Sequence, residues 1–168
     1  MKIQIIGYSG AGKSTLAKKL STHYHLPLLY LDNVQFYGNW QERTIDQKNE
    51  IVKAFLDENE SWVIDGNYSS IQPQRFEICD LIIYLNYNRI FCLFSCIKRY
   101  LQNIGKNRES CPCKEKIDLE FIWWILYEGR TKQKKQKFLK LLNESNGQKL
   151  HFKNRKQLNQ FLKKQGIQ

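Results

Sequence analysis

Eight consecutive residues near the start of the chain have the types and spacing to hold a polyphosphate. Gly7-Tyr8-Ser9-Gly10-Ala11-Gly12-Lys13-Ser14 matches G-x-x-x-x-G-K-[ST] at every fixed position. Glycines let a short loop bend until successive backbone N–H groups point at phosphate oxygens. A helix opening directly after the loop adds the positive end of its dipole. A lysine at the seventh position places a cation at the β/γ-phosphates, and a serine at the eighth offers a hydroxyl to Mg²⁺. The bland alternative is a Gly-rich turn without a ligand. The context argues against it, because an apolar run precedes the motif and a helix-like pattern follows it. The expected nucleotide contacts are Gly7, Ser9, Gly10, Ala11, Gly12, Lys13, Ser14 and Thr15, with ATP and Mg²⁺ as the bound species.

Two carboxylates belong with this loop if the chain is a parallel α/β protein. Asp32 closes the short apolar run 28–31, and Asp65 closes 61–64. Open α/β sheets bind ligands beyond the carboxyl ends of their strands. A carboxylate there can hold Mg²⁺ through water or orient an acceptor hydroxyl. Either aspartate could instead be an ordinary turn or helix-cap residue.

The elements that must position these groups are legible as alternating short apolar runs and longer helical patterns. Residues 2–6, 28–31, 61–64, 81–85 and 149–152 read as strands. The run 81–85 is wholly apolar, as a strand buried on both faces requires. Helical spacing is expected over 13–24, from a Thr44 cap to about 59, over 90–104, as one long helix over 118–143, and over 156–164. In the second of these, Ile45, Ile51, Val52 and Phe55 are expected to face inward. Residues 33–43 are aromatic and loop-like, and 105–116 form an irregular excursion rich in charge.

The 168 residues suffice for one domain with a substantial core. No apolar run approaches the roughly 20 residues that span a bilayer, so a cytoplasmic protein without membrane attachment is expected. Five cysteines in such a compartment are expected as reduced thiols. The net charge of +11 lies entirely in the C-terminal part: residues 130–168 hold 12 Lys or Arg and one acid. Such a block could engage nucleic acid or an anionic partner, or could simply be a solvated basic surface.

The Gly7–Ser14 loop, Leu31-Asp32, Trp62-Val63-Ile64-Asp65-Gly66-Asn67-Tyr68 and the run 81–85 occur in this order over about residues 1–162. In this the chain resembles the adenylate-kinase-like P-loop proteins of the topology-modulation (FlaR-related) kind, which stand beside the nucleoside monophosphate, shikimate and gluconate kinases. The resemblance implies a three-layer sandwich with a five-stranded parallel sheet of order 2-3-1-4-5 and a short helical lid over about 105–117. It implies ATP as donor, Asp65 beside Mg²⁺ and the acceptor, and Asp32 facing the acceptor. It makes Arg99, Arg108 and Arg130 the candidates to clamp the transferring phosphoryl group. The chain departs from the monophosphate kinases after its Asp-Gly: Asn67-Tyr68-Ser69-Ser70 stands there, and the nearest arginine is Arg75.

The expected function is therefore transfer of the ATP γ-phosphate to a small acceptor that the residues do not identify. The alternative is a nucleotide-binding regulator whose basic C-terminal part engages nucleic acid or a partner. A monomer or weak dimer fits either. Neither a guanine-recognition [NT]-K-x-D element nor a transporter-type L-S-G-G-Q stretch is present. Cys111-Pro-Cys113 lacks the second ligand pair of a structural zinc site. Cys92 and Cys96 read as core residues, and Trp123 and Trp124 as core and edge packing. Phe36, Tyr37 and Trp40 could wall an acceptor site or pack beneath a loop, and Arg43 could meet an anionic acceptor or be an exposed charge at a helix start.

Overall fold

The computed structural model describes residues 1–106 and 108–167. Asn107, inside the expected lid, and Gln168, the last residue of the expected domain, lie outside the described residues. Strand β1 (Lys2–Gly7) runs through the glycine-rich loop into α1 (Lys13–Tyr24). β2 (Leu28–Tyr30) passes at once into the short α2 (Leu31–Gln35). A hairpin of β3 (Phe36–Gly38) and β4 (Gln41–Glu42) and then α3 (Ile45–Glu58) follow. Next come β5 (Trp62–Asp65), the one-turn α4 (Arg75–Ile78), β6 (Leu81–Leu85) and α5 (Arg89–Gln102). After the excursion the chain forms α6 (Leu119–Leu126), a 3-10 turn (Glu128–Arg130), α7 (Lys132–Glu144), β7 (Gln148–Phe152) and α8 (Arg155–Lys164).

Five strands make one parallel sheet in the order β2-β5-β1-β6-β7. The fold is α/β, as the alternation of elements predicts. Ile3 pairs with Val63 on one side and Leu81 on the other, and Ile5 with Asp65 and Ile83. The three central strands are largely apolar, because helices cover both faces of such a sheet. Ile3, Ile5, Val63, Ile64, Ile82 and Ile83 are fully buried, and each contributes about 1.5–3 kcal/mol of transfer free energy. Gln4 is the polar exception at the centre of β1. Its Nε2 donates to the carbonyls of Gly66 (3.0 Å), Ile5 (3.2 Å) and Ile64 (3.3 Å), and its Oε1 accepts from Arg75 Nε (3.0 Å).

Several sequence expectations change. Among the described residues there are seven strands, because 36–42 pairs with itself and so adds an antiparallel hairpin outside the main sheet. Asp32 does not end a strand: β2 stops at Tyr30, and Asp32 sits in the first turn of α2. The expected long helix over 118–143 is broken. Gly129 packs against Trp124, where a Cβ would come within 2.9 Å of a carbonyl oxygen. Thr131 then caps a new helix by accepting from Lys134 N–H at 3.3 Å. The expected helical lid contains no helix among its described residues; an isolated Arg108–Cys111 bridge stands there instead. Gly105 and Pro112 interrupt any helical run in it. In α3 the Thr44 capping box forms and Val52 is buried, but Ile45 and Ile51 face solvent and Lys48 takes an inward position. Trp124 packs on the core, whereas Trp123 is mostly exposed.

Candidate active site

Parallel pairing places the carboxyl ends of β1, β2 and β5 side by side, with Tyr30 and Ile5 flanking Asp65. The glycine-rich loop leaves β1 at this edge. Gly10 holds φ of 77°, and a Cβ there would collide with the Cys92 carbonyl. Gly12, with φ of 87°, has nothing within 4 Å of where its Cβ would stand. One glycine therefore lets the loop seat on α5, and the other leaves open the space inside it. Gly12 is also the N-cap of α1, and no side chain caps that helix. The first-turn N–H groups of a helix have no partner inside it, so here they are available to an anion.

Lys13 Nζ donates to the Tyr8 carbonyl across the loop at 3.2 Å. Ser14 Oγ donates to Asp65 Oδ2 at 2.6 Å. Asp65 is buried, and its other oxygen, Oδ1, has no hydrogen-bond partner among the described residues. Burial pushes its carboxyl above the ordinary range, against the opposing pull of Lys13 and the Ser14 hydrogen bond. An orphaned carboxylate oxygen beside a serine hydroxyl is a hard oxygen donor set. It fits Mg²⁺, which binds through one or two protein oxygens and keeps most of its waters.

Asp32 faces the same cavity, and its Oδ1 accepts from Tyr68 O–H at 2.8 Å. Burial and the Asp32 charge push the Tyr68 phenol far above its normal value, so it remains a donor. The cavity has a volume of about 1050 Å³ and runs from the loop residues past Asp32 and Asp65 to Arg99 and Arg108. The excursion closes over it through Glu109. That side chain pairs with Lys18 at 2.7 Å, and its carbonyl accepts from Asn33 Nδ2 at 2.8 Å.

Not every expected residue reaches the cavity. Arg130 does not line it. Its guanidinium stacks on the Tyr8 ring, 3.6 Å from the centroid, and Nη1 donates to the Tyr87 carbonyl at 2.6 Å. The 3-10 turn that replaces the long helix carries Arg130 to this place behind the loop. Arg43 caps three carbonyls, those of Asn33 (2.8 Å), Val34 (3.1 Å) and Phe36 (2.6 Å), and so braces the hairpin. Phe36, Tyr37 and Trp40 also stand outside the cavity; the Trp40 N–H donates to Cys113 Sγ at 3.2 Å beneath the excursion. Cys92, Cys96, Cys111 and Cys113 are all buried free thiols.

Sequence reasoning assigned no role to Asn67, Tyr68 or Glu115. The first two directly follow the strand-end Asp-Gly, and that position was the available signal. Glu115 had only its sign, as an acid in a basic segment.

No family profile matches the sequence, and no curated protein is detectably similar to it. Solved structures are similar in fold. A deoxyadenosine kinase from M. mycoides with bound dATP superposes with a TM-score of 0.56 at 15% identity, over 99% of this chain and 100% of that one. The same kinase with dCMP and a flexible dCDP gives 0.51 at 15% identity, over 99% of each chain. An uncharacterized protein from Eubacterium ventriosum gives 0.54 at 14% identity, over 98% of each. The chain shares the fold of these kinases. At such identity the likeness extends to the path of the backbone and not to the choice of substrate.

Proposed function

We propose that this protein is an ATP-dependent kinase that transfers the γ-phosphoryl group, with Mg²⁺, to a hydroxyl of a small nucleoside-like acceptor. The observation that carries the reading is the Ser14–Asp65 hydrogen bond beside the uncapped N-terminus of α1. It sets two oxygen donors that suit Mg²⁺ beside backbone N–H groups that suit a phosphate, and so supports the reading. The nucleoside-like acceptor is part of the proposal: deoxyadenosine kinases among the fold neighbours make nucleosides the first acceptors to try.

In this reading the backbone of residues 9–15 and Lys13 hold the phosphates. Ser14 and Asp65 would hold Mg²⁺, which neutralises charge on the β- and γ-oxygens when bound. Asp32, oriented by Tyr68, accepts the proton of the attacking hydroxyl. Arg99 and Arg108 take up charge that spreads over the transferring group. Arg130, placed behind Tyr8, supports the loop from outside the cavity.

ADP formation from ATP·Mg²⁺ tests this with deoxyadenosine, deoxycytidine, nucleoside monophosphates, and hydroxylated sugars and acids as acceptors. Turnover stimulated by one acceptor class and abolished in Lys13→Ala is the expected result. Tight ATP binding with no stimulation by any nucleoside or nucleotide would overturn the acceptor assignment, and absence of ATP binding would overturn the whole reading.

A further inference from the structure

Glu115 lies in the irregular excursion, yet its side chain is only 4% exposed. A carboxylate so placed must be paired or it is strongly destabilising. Two guanidiniums pair with it. Arg99, from α5, donates Nη2 to Oε2 at 3.2 Å, and its Nε lies 3.0 Å from Oε1 at ion-pair distance without an aligned hydrogen bond. Arg108, from the excursion itself, sets its Nε against the same Oε1. Arg108 Nη1 also donates to Ser110 Oγ at 3.0 Å. Arg99 Nη1 and Arg108 Nη2 make no hydrogen bond among the described residues. Both arginines line the cavity that holds the phosphate cradle.

The charges are unequal: two guanidiniums share one carboxylate. One positive charge is left over, at a pair of side chains that both line the cavity. Without Glu115 the two cations would repel each other, and the tie from α5 to the excursion would be lost. We propose that Glu115 is a positioning residue that holds Arg99 and Arg108 together as a seat for the γ-phosphate of the bound nucleotide. The assignment rests on the kinase reading, and it gives that reading a residue that touches neither substrate nor metal. The pair Lys18–Glu109 anchors the other side of the same excursion but is more than half exposed at both ends, so it contributes little.

The test is a comparison of nucleotide affinities by calorimetry, which needs no acceptor. Wild type, Glu115→Gln and Arg108→Gln are titrated with ADP·Mg²⁺ and with a non-hydrolysable ATP analogue. Both variants are expected to lose about tenfold in affinity for the triphosphate while binding ADP as wild type does. The double variant is expected to lose no more than either single one, because holder and held act as a unit. Glu115→Asp keeps the buried charge but shortens its reach, so it tests the hold on the two arginines if Glu115→Gln folds poorly: the loss is again expected for the triphosphate and not for ADP. Equal loss for both nucleotides, or no loss for either, overturns the proposal and leaves the kinase reading in place. A wild type that binds neither nucleotide overturns both.

Discussion

Asn67 grips Gly7 with both ends of its amide. Oδ1 accepts from the Gly7 N–H at 2.9 Å, and Nδ2 donates to the Gly7 carbonyl at 2.8 Å. The side chain thus continues the β1–β5 pairing past the end of β5, where Gly66 N–H still reaches the Ile5 carbonyl at 3.1 Å. It fixes the residue from which the glycine-rich loop departs. Asn67→Ala is expected to raise the Kd for ATP about tenfold with a small change in melting temperature. Asn67→Asp is expected to be worse, since it turns a carboxylate oxygen toward a carbonyl. Nucleotide titration of both variants checks this; unchanged affinity would show that Asn67 only fills space.

In the proposed reading, Asp65 makes nucleotide binding depend on pH. Burial raises its folded pKa above the unfolded one, so the folded state favours the neutral acid. That contribution to stability is present at low pH and is lost as pH rises through the raised value. Without nucleotide, Asp65→Asn is therefore expected to melt above wild type at neutral pH and level with it in acid. Mg²⁺ requires the ionised form. The Mg²⁺-dependent part of nucleotide affinity should then fall in wild type as pH drops through a range above that of ordinary carboxylates. In Asp65→Asn that part should be absent at every pH.

The Tyr68 hydroxyl donates to Asp32 and to no other described residue. Tyr68→Phe removes the 2.8 Å bond and leaves a ring of nearly the same shape. Turnover is expected to fall about tenfold with the Kd for ADP unchanged. Asp32→Asn, which removes the proton acceptor itself, is expected to cost about 10²–10⁴. Steady-state kinetics on the stimulating acceptor separate the two; equal losses would mean that Tyr68 has a role beyond orienting Asp32.

Arg75 is a structural cation. It is fully buried, and burial draws its pKa down to about 9. Among the described residues its hydrogen-bond partners are neutral: Gln4 Oε1 and the carbonyls of Tyr68 (2.9 Å), Gln72 (3.3 Å) and Ile71. It ties the centre of β1 to the chain that carries Asn67 and Tyr68. Arg75→Met strands these acceptors and is expected to destabilise the fold by about 3 kcal/mol, measured by urea denaturation. A loss of nucleotide binding without a loss of stability would instead assign Arg75 to the site.

The sequence by itself determined the glycine-rich loop between β1 and α1 and the strands around it. Such a loop is contiguous, and its glycines, Lys13 and Ser14 serve their purpose through local geometry and backbone N–H groups. The buried strands were legible because two covered faces permit only apolar runs, as 81–85 shows. The Thr44 cap was legible because its partner Gln47 is three residues away. Tertiary structure decided whatever depends on long-range approach. The tie of Asp65 to Ser14 spans 51 positions and that of Asn67 to Gly7 spans 60; parallel pairing, not spacing, creates both. Arg99, Arg108 and Arg130 were indistinguishable as cations in a basic chain. Only packing turned two of them onto Glu115 at the cavity and stacked the third on Tyr8, because a long side chain goes where burial, partners and ring faces take it.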